Sequence, residues 1–330
     1  MAYTDPMPTP DYPLLRENIW QITPEEPLAY VETPDGCFEV ETGQALAFLR
    51  VRPHCTPHNN VARIAERSGT HPEQVSAMLA ALDSIGAIGP RRGDVIERLT
   101  RAVELWGAEL ARDFIANALL DEAMPRTVLL GWLLETYHYV RDFPEAIAEA
   151  AARAPEGPLR QLLLRYVAEE RGHERFVLET LENLGLSRAE VEASHPLIST
   201  RMIGFLMRDL FAAAPVAVLL MAAMVEAQAI PDERTLEFQH EIERHFDLAP
   251  GALGPYFKHQ EIDARLGHHR LFADNLACFD IEDEAVLDLV VDRLHDLKHG
   301  FDLQGLEIRH YYGGQDGAYL PRQPMPMRAI

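Results

Sequence analysis

His259 and Asp263 stand four residues apart in Tyr256-Phe-Lys-His-Gln-Glu-Ile-Asp263. On a helix that spacing stacks an imidazole above a carboxylate on one face, where both can take one metal ion. Glu135-Thr-Tyr-His138 and Glu170-Arg-Gly-His173 offer the same kind of pair at spacing three. Glu226 closes the apolar run Val216-Ala-Val-Leu-Leu-Met-Ala-Ala-Met-Val225, where an ionised carboxylate is costly without a cation. Together Glu135, Glu170, His173, Glu226, His259 and Asp263 supply four carboxylates and two imidazoles from four helical stretches. Hard oxygen donors that bridge and neutralise two cations, completed by a few imidazoles in a bundle core, suit a diiron or dimanganese centre. Each piece alone has an ordinary reading: a solvated face, a chance ExxH, a surface i,i+4 pair, a residue at a helix end. The combination carries the metal reading. No catalytic group beyond the metal ligands is assigned.

These side chains need helices to hold them. Helices are expected at about 94–120, 126–149, 157–184, 187–193, 198–228, 232–246, 251–277 and 283–311, with breaks carried by Pro125, Pro144, Pro155 with Gly157, Gly185, Pro196, Pro231 and Pro250 with Gly251. The expectation for 94–312 is an all-α bundle of more than four helices. Ahead of it, 14–90 reads as a small α+β unit. Short strands at 19–22, 28–32 and 37–41, with a Thr33-Pro-Asp-Gly36 turn, precede helices at 43–50, 59–67 and 72–85. Residues 1–13 form a proline-rich arm, Pro90–Asp94 the boundary, and 313–330 an irregular tail. The fold class is therefore mainly α, with a small winged-helix-like N-terminal domain.

Bulk composition narrows the function. With 330 residues, 47% hydrophobic and 25% charged, the chain can bury a large core unaided. Cys37, Cys55 and Cys278 are scattered and no secretory segment opens the chain, which points to reduced thiols and a cytoplasmic location. A formal charge of −22 argues against a nucleic-acid partner, and the longest apolar run is too short to span a membrane. The sequence contains no GxSxG, P-loop or GxGxxG, so acyl transfer and nucleotide chemistry have no support. A ferritin-like centre would explain two ExxH motifs, but Glu135–His138 and Glu170–His173 fall on consecutive helices, an order that disagrees with that family.

Over roughly 100–312 these residues resemble the heme-oxygenase-like diiron oxidases, relatives of the thiaminase and pyrroloquinoline-quinone synthase fold. The carriers are Glu135 with Tyr-His-Tyr-Val-Arg-Asp-Phe-Pro144, Glu169-Glu170-Arg-Gly-His173 before Leu184-Gly-Leu-Ser187, Glu226, and Tyr256–Asp263. The resemblance implies iron ligation by Glu170, His173, Glu226, His259 and Asp263, with Glu135 as an additional carboxylate. The family's last helix usually reads HxxxDxxH, and its third position here is Leu266. His138 is the first substitute for that ligand, and His269, brought round by a distortion at Gly267, the second. Water, a substrate group or a mononuclear site are the remaining options. The implied cofactors are two Fe per chain, or Mn in their place, with O2 as cosubstrate and an external reductant. The implied chemistry is N-oxygenation, desaturation or C–C cleavage in a dry cavity, to which Met202, Met207, Met221 and Met224 would contribute.

The N-terminal unit is similar in pattern to the peptide-binding winged-helix domains of ribosomal-peptide maturation, through the Tyr30–Glu41 hairpin and the rhythm Gly43–Leu49, Val61–Ala65, Val75–Leu82 and Gly86–Ile88. The resemblance implies a precursor peptide added as a strand at the hairpin edge, near Tyr30, Val31, Phe38 and Val40. A structural cap or a homodimerisation unit is the alternative. The expected function is oxidative modification of a precursor peptide. The rivals are oxidation of a free amino acid or fatty acid, and a metal-free scaffold.

Overall fold

The computed structural model describes residues 21–24, 28–33, 36–56, 58–85, 94–112, 119–120, 124–226, 232–314 and 320–329. The proline-rich arm, the central two residues of the Thr33–Gly36 turn and the expected boundary up to residue 93 lie outside that set. The chain divides into two compact units, Met1–Leu105 and Trp106–Ile330.

In the first unit β1 (Gln21–Pro24), β2 (Leu28–Thr33) and β3 (Gly36–Glu41) form an antiparallel sheet in the order β1-β2-β3. Thr33 pairs with Gly36 and Val31 with Phe38, so the β2–β3 register is that of a tight hairpin. The period then changes from two to 3.6, and α1 (Thr42–Val51), α2 (Val61–Ser68) and α3 (Pro72–Ser84) follow. Asn60 caps α2 by accepting from the Arg63 N–H, and Gly69 ends it at φ 64°, a conformation cheap only for glycine. Phe48, Val51, Ile64, Val75 and Leu79 are buried in this unit's core. The helix α4 (Val95–Arg112) runs across the division between the units.

The second unit is helical: α5 (Arg126–Arg153), α6 (Pro158–Glu170), α7 (Glu174–Asn183), α8 (Arg188–Ala193), α9 (Ile198–Ala213), α10 (Ala217–Val225), α11 (Asp232–His245), α12 (Gly254–Leu266), α13 (Leu271–Asp274) and α14 (Glu284–Gly313). α5 lies at the centre, packed on α6, α7, α9 and α14. Its sequence explains the position: Val128 to Leu134 are apolar at every step and all buried, so no face of this stretch meets water. Gly131 lets α14 approach closely, because a Cβ there would collide with the ring of Tyr312. Among the described residues no helix is long and apolar enough to cross a membrane.

Three helices expected as continuous are interrupted. The 157–184 stretch breaks at 171–173, where Gly172 adopts φ 96°. The 198–228 stretch breaks at Ala214, held extended (φ −157°, ψ 121°) because the following Pro215 disfavours the α region. The 251–277 stretch ends α12 at Gly267 (φ 74°) and continues as a 3-10 turn, His268–Arg270. Pro144, by contrast, is accommodated inside α5. Part of the expected irregular tail is anchored: the Arg322 carbonyl accepts from the His195 N–H at 2.7 Å, and its guanidinium donates to the Pro196 carbonyl.

Candidate metal centre

The helix breaks bring the donors together. α6 ends on Glu170, the turn at Gly172 delivers His173 as the N-cap of α7, and α10 terminates at Glu226. α12 contributes His259 and Asp263 one turn apart, and the Gly267 turn folds His268 back against α10. Two donor groups result: Glu170, His173, His259 and Asp263 form one, and Glu170, Glu226 and His268 the other. Within each group the donor atoms lie within 4.8 Å of one another.

Glu170 belongs to both. Its Oε2 is 3.4 Å from His173 Nδ1, while its Oε1 is 2.9 Å from His268 Nδ1. In the first group His259 Nε2 lies 3.1 Å from His173 Nδ1 and 3.0 Å from Asp263 Oδ2, with Asp263 Oδ1 at 3.2 Å from His173 Nδ1. In the second, His268 Nδ1 is 3.1 Å from Glu226 Oε2. The Tyr166 hydroxyl donates to the other oxygen of Glu226.

Electrostatics shows what the cluster wants. Burial disfavours a charged imidazole at His268, but the carboxylates of Glu170 and Glu226 outweigh it and hold the ring up at about 11. Burial likewise opposes charge on His173, and Asp263 and Glu170 overcome it to reach about 9. Burial would raise Glu170, yet the two imidazoles pull it down to about 2. Glu226 is pushed up to about 7 by burial, helped by Glu170 and opposed by His268 and Tyr166. Burial lowers His259. Three carboxylates thus compete for positive charge that two protonated rings supply. Divalent cations would supply it better, with the nitrogens as ligands instead of proton carriers.

The fit to metal also shows in unsatisfied atoms. Glu170 Oε1, Glu226 Oε2, Asp263 Oδ1 and His268 Nδ1, all facing the cluster, are buried without a hydrogen-bond partner. Several of them sit within ion-pair distance of each other but without hydrogen-bond alignment, the arrangement of donors turned toward a common point. Oxygen donors with a minority of imidazoles suit iron or manganese.

Glu135 and His138 do not join the cluster. Glu135 accepts from the Tyr312 hydroxyl at 2.6 Å and from the Leu197 N–H at 2.9 Å. His138 Nε2 meets Ser194 Oγ at 2.8 Å, and its Nδ1 faces the Arg141 guanidinium at 3.3 Å. Burial first, then Arg141 and His195, drive the His138 ring down to about 3. Both side chains tie α5 to the α8–α9 connection. His269 is half-buried and outside both groups, and Leu266, where the third motif position was expected, is 45% exposed. His268, which sequence reading did not select, is 0% exposed and takes that role in the second group. The signal for it was Gly267, a residue able to end a helix in the left-handed region and reset the count.

A cavity of about 640 Å³ opens on Glu170, Glu226, His259 and Asp263. Tyr139, Phe143, Phe257 and Phe301 provide much of its apolar wall, with Asp302 and Gln304 from α14. None of the four methionines expected there lines it; Met207, Met221 and Met224 are core residues and Met202 packs near Gly300. Of the peptide-binding candidates, Tyr30, Phe38 and Val40 are half-buried, whereas the Val31 side chain lies outside the described residues.

Residues 130–292 match a family described as iron-containing redox enzyme. The fold is also that of two solved structures. One is a domain of unknown function with a heme oxygenase-like fold from Shewanella denitrificans (19% identity, TM-score 0.53, covering 69% of this chain and 97% of that one). The other is a TenA homolog from Pseudomonas syringae pv. tomato (12% identity, TM-score 0.51, covering 67% and 97%). No match was found among curated proteins.

Proposed function

We propose that the helical unit is a two-iron, O2-using oxidase or oxygenase, with manganese as the alternative metal. The observation that carries this reading is Glu170, whose two oxygens face two separate donor groups. One ion would be held by His173, His259, Asp263 and Glu170, the other by His268, Glu226 and Glu170. Iron so held would supply the O2 activation needed for N-oxygenation, desaturation or C–C cleavage. The chain's own residues do the rest. Tyr139, Phe143, Phe257 and Phe301 place apolar surface beside the cluster, which lowers the local dielectric and strengthens its electrostatics. The Tyr166 hydroxyl holds the outer oxygen of Glu226, leaving Oε2 toward His268. An external reductant and O2 complete the electron balance.

The substrate on this reading is a residue of a ribosomally made precursor peptide. What supports it is the outer strand β3, whose hydrogen-bonding edge away from β2 has no strand partner among the described residues, a geometry suited to strand addition. The cavity favours a second reading, a free amino acid or fatty acid, since about 640 Å³ suits a small molecule as well as a single side chain.

Anaerobic ferrous titration followed by O2 exposure, read by Mössbauer and optical spectroscopy, tests the centre. Two irons per chain and an O2-dependent spectral change are expected. No specific iron or manganese uptake would sink the oxidase and leave a binding protein. For the substrate, Glu39→Pro, at a register position whose N–H points away from β2, should abolish binding of peptides selected on the intact protein from a display library while iron uptake stays at the wild-type level. A protein that selects no peptide is instead a small-molecule oxidase.

A further inference from the structure

Within the proposed metal centre, His268 is the sole imidazole of its donor group, and it sits on a short 3-10 turn rather than on a helix. A ligand in that setting needs its ring orientation fixed from outside. Three residues of the last turn of α6 surround the ring. Tyr166 meets it edge-on with centroids 4.7 Å apart, Glu170 faces Nδ1 at 2.9 Å, and Glu169 Oε2 lies 3.2 Å from Nε2. Tyr166, Glu169 and Glu170 are related by i, i+3 and i+4, so one helical face presents all three. Glu169 is only 31% exposed at its side chain, against the solvated position that a run of charged residues at a helix end would suggest.

We infer that Glu169 is a positioning residue: its carboxylate accepts from His268 Nε2–H, fixes the tautomer, and turns Nδ1 toward Glu170 and Glu226. A carboxylate behind a ligating imidazole orients the ring and raises its basicity toward the metal. Glu169 touches neither donor group's focus, and it acts only through His268. The inference rests on the two-iron reading, but its geometric part does not need a metal.

The test compares Glu169→Ala and Glu169→Gln with wild type in two measurements. Ferrous titration against a competing chelator should show one of the two equivalents weakened by about 10- to 100-fold in Glu169→Ala, with a changed Mössbauer doublet for that iron. Glu169→Gln, which keeps a carbonyl acceptor, should recover most of the affinity. In metal-free protein, ¹⁵N imidazole spectra should show the His268 Nε2–H protected in wild type and exchanging faster in Glu169→Ala, while thermal midpoints stay close. Wild-type affinity and an unchanged His268 signal in Glu169→Ala would overturn the assignment, as would a Gln variant no better than Ala. Wild type that takes up no iron, yet shows the Glu169-dependent signal, keeps the positioning role and removes the oxidase reading instead.

Discussion

Two ExxH motifs with the same spacing meet opposite fates. Glu135 and His138 lie inside the unbroken helix α5; Glu170 and His173 straddle the break between α6 and α7. In the first pair every interaction is with protein: Tyr312 and Leu197 satisfy Glu135, Ser194 and Arg141 satisfy His138. In the second, Glu170 Oε1 is buried without a hydrogen bond while both of its oxygens face imidazoles. Spacing therefore selects which side chains share a face, and the inventory of partners decides what they do. A saturated polar pair ties helices together. An unsaturated convergent one is built for a cation.

The largest expected effect is from Glu170→Ala. Because both donor groups use this residue, iron uptake should fall from two per chain to at most one loosely held ion, and the O2-dependent signal should vanish. A Glu170→Ala protein that still binds two irons breaks the comparison outright. His268→Ala sharpens it: the group of His173, His259 and Asp263 stays whole, so one tightly bound iron per chain should remain. Elemental analysis after anaerobic desalting reads both results.

Glu135→Ala should do the reverse. It leaves the Tyr312 hydroxyl and the Leu197 N–H without their acceptor, at a cost of about 1–3 kcal/mol per buried group, measurable by chemical denaturation. Iron stoichiometry should not change. His138 adds a pH test with a defined sign. Its folded value of about 3 lies below the ordinary 6.5, so burial keeps it neutral. Its contribution to stability is present above pH 6.5 and is lost as pH falls from there toward 3, by up to about 1.4 kcal/mol per pH unit. His138→Gln in metal-free protein should flatten that part of the stability profile. A slope identical to wild type would show that other groups carry the acid sensitivity.

Much of this arrangement was legible in the sequence, and the gaps share one cause. Glu170, His173, Glu226, His259 and Asp263 stood out because helical spacing and an apolar context are local properties. The mainly helical fold followed from the same periodicity. Counting along a helix fails where the helix stops, and 157–184, 198–228 and 251–277 each stop inside the expected range. His268 lies five positions beyond Asp263, off its face in a continuous helix, and only the reversal at Gly267 returns it. The roles of Tyr312 and Glu169 depend on residues 177 and 99 positions away, separations that no local pattern encodes. Glu135 and His138 entered the candidate set for the complementary reason: local spacing was right and the distant partners were invisible.

Gly267→Ala makes the smallest perturbation and asks whether that reversal is what separates the two motifs. A Cβ at Gly267 would meet no atom within 4 Å, so the substitution introduces no clash. Its penalty is the left-handed backbone at φ 74° alone, about 1–2 kcal/mol for an L side chain. That energy favours carrying α12 onward past Leu266, which would swing His268 away from Glu170 and Glu226. Affinity for one iron should drop by roughly tenfold, since 1.4 kcal/mol corresponds to a factor of ten, while the iron held by His173, His259 and Asp263 is unaffected. The global denaturation midpoint should move only slightly, because the turn can relax locally. Equal weakening of both irons would mean that Asp263, one turn earlier, moves with the turn, and that the two donor groups respond as one unit.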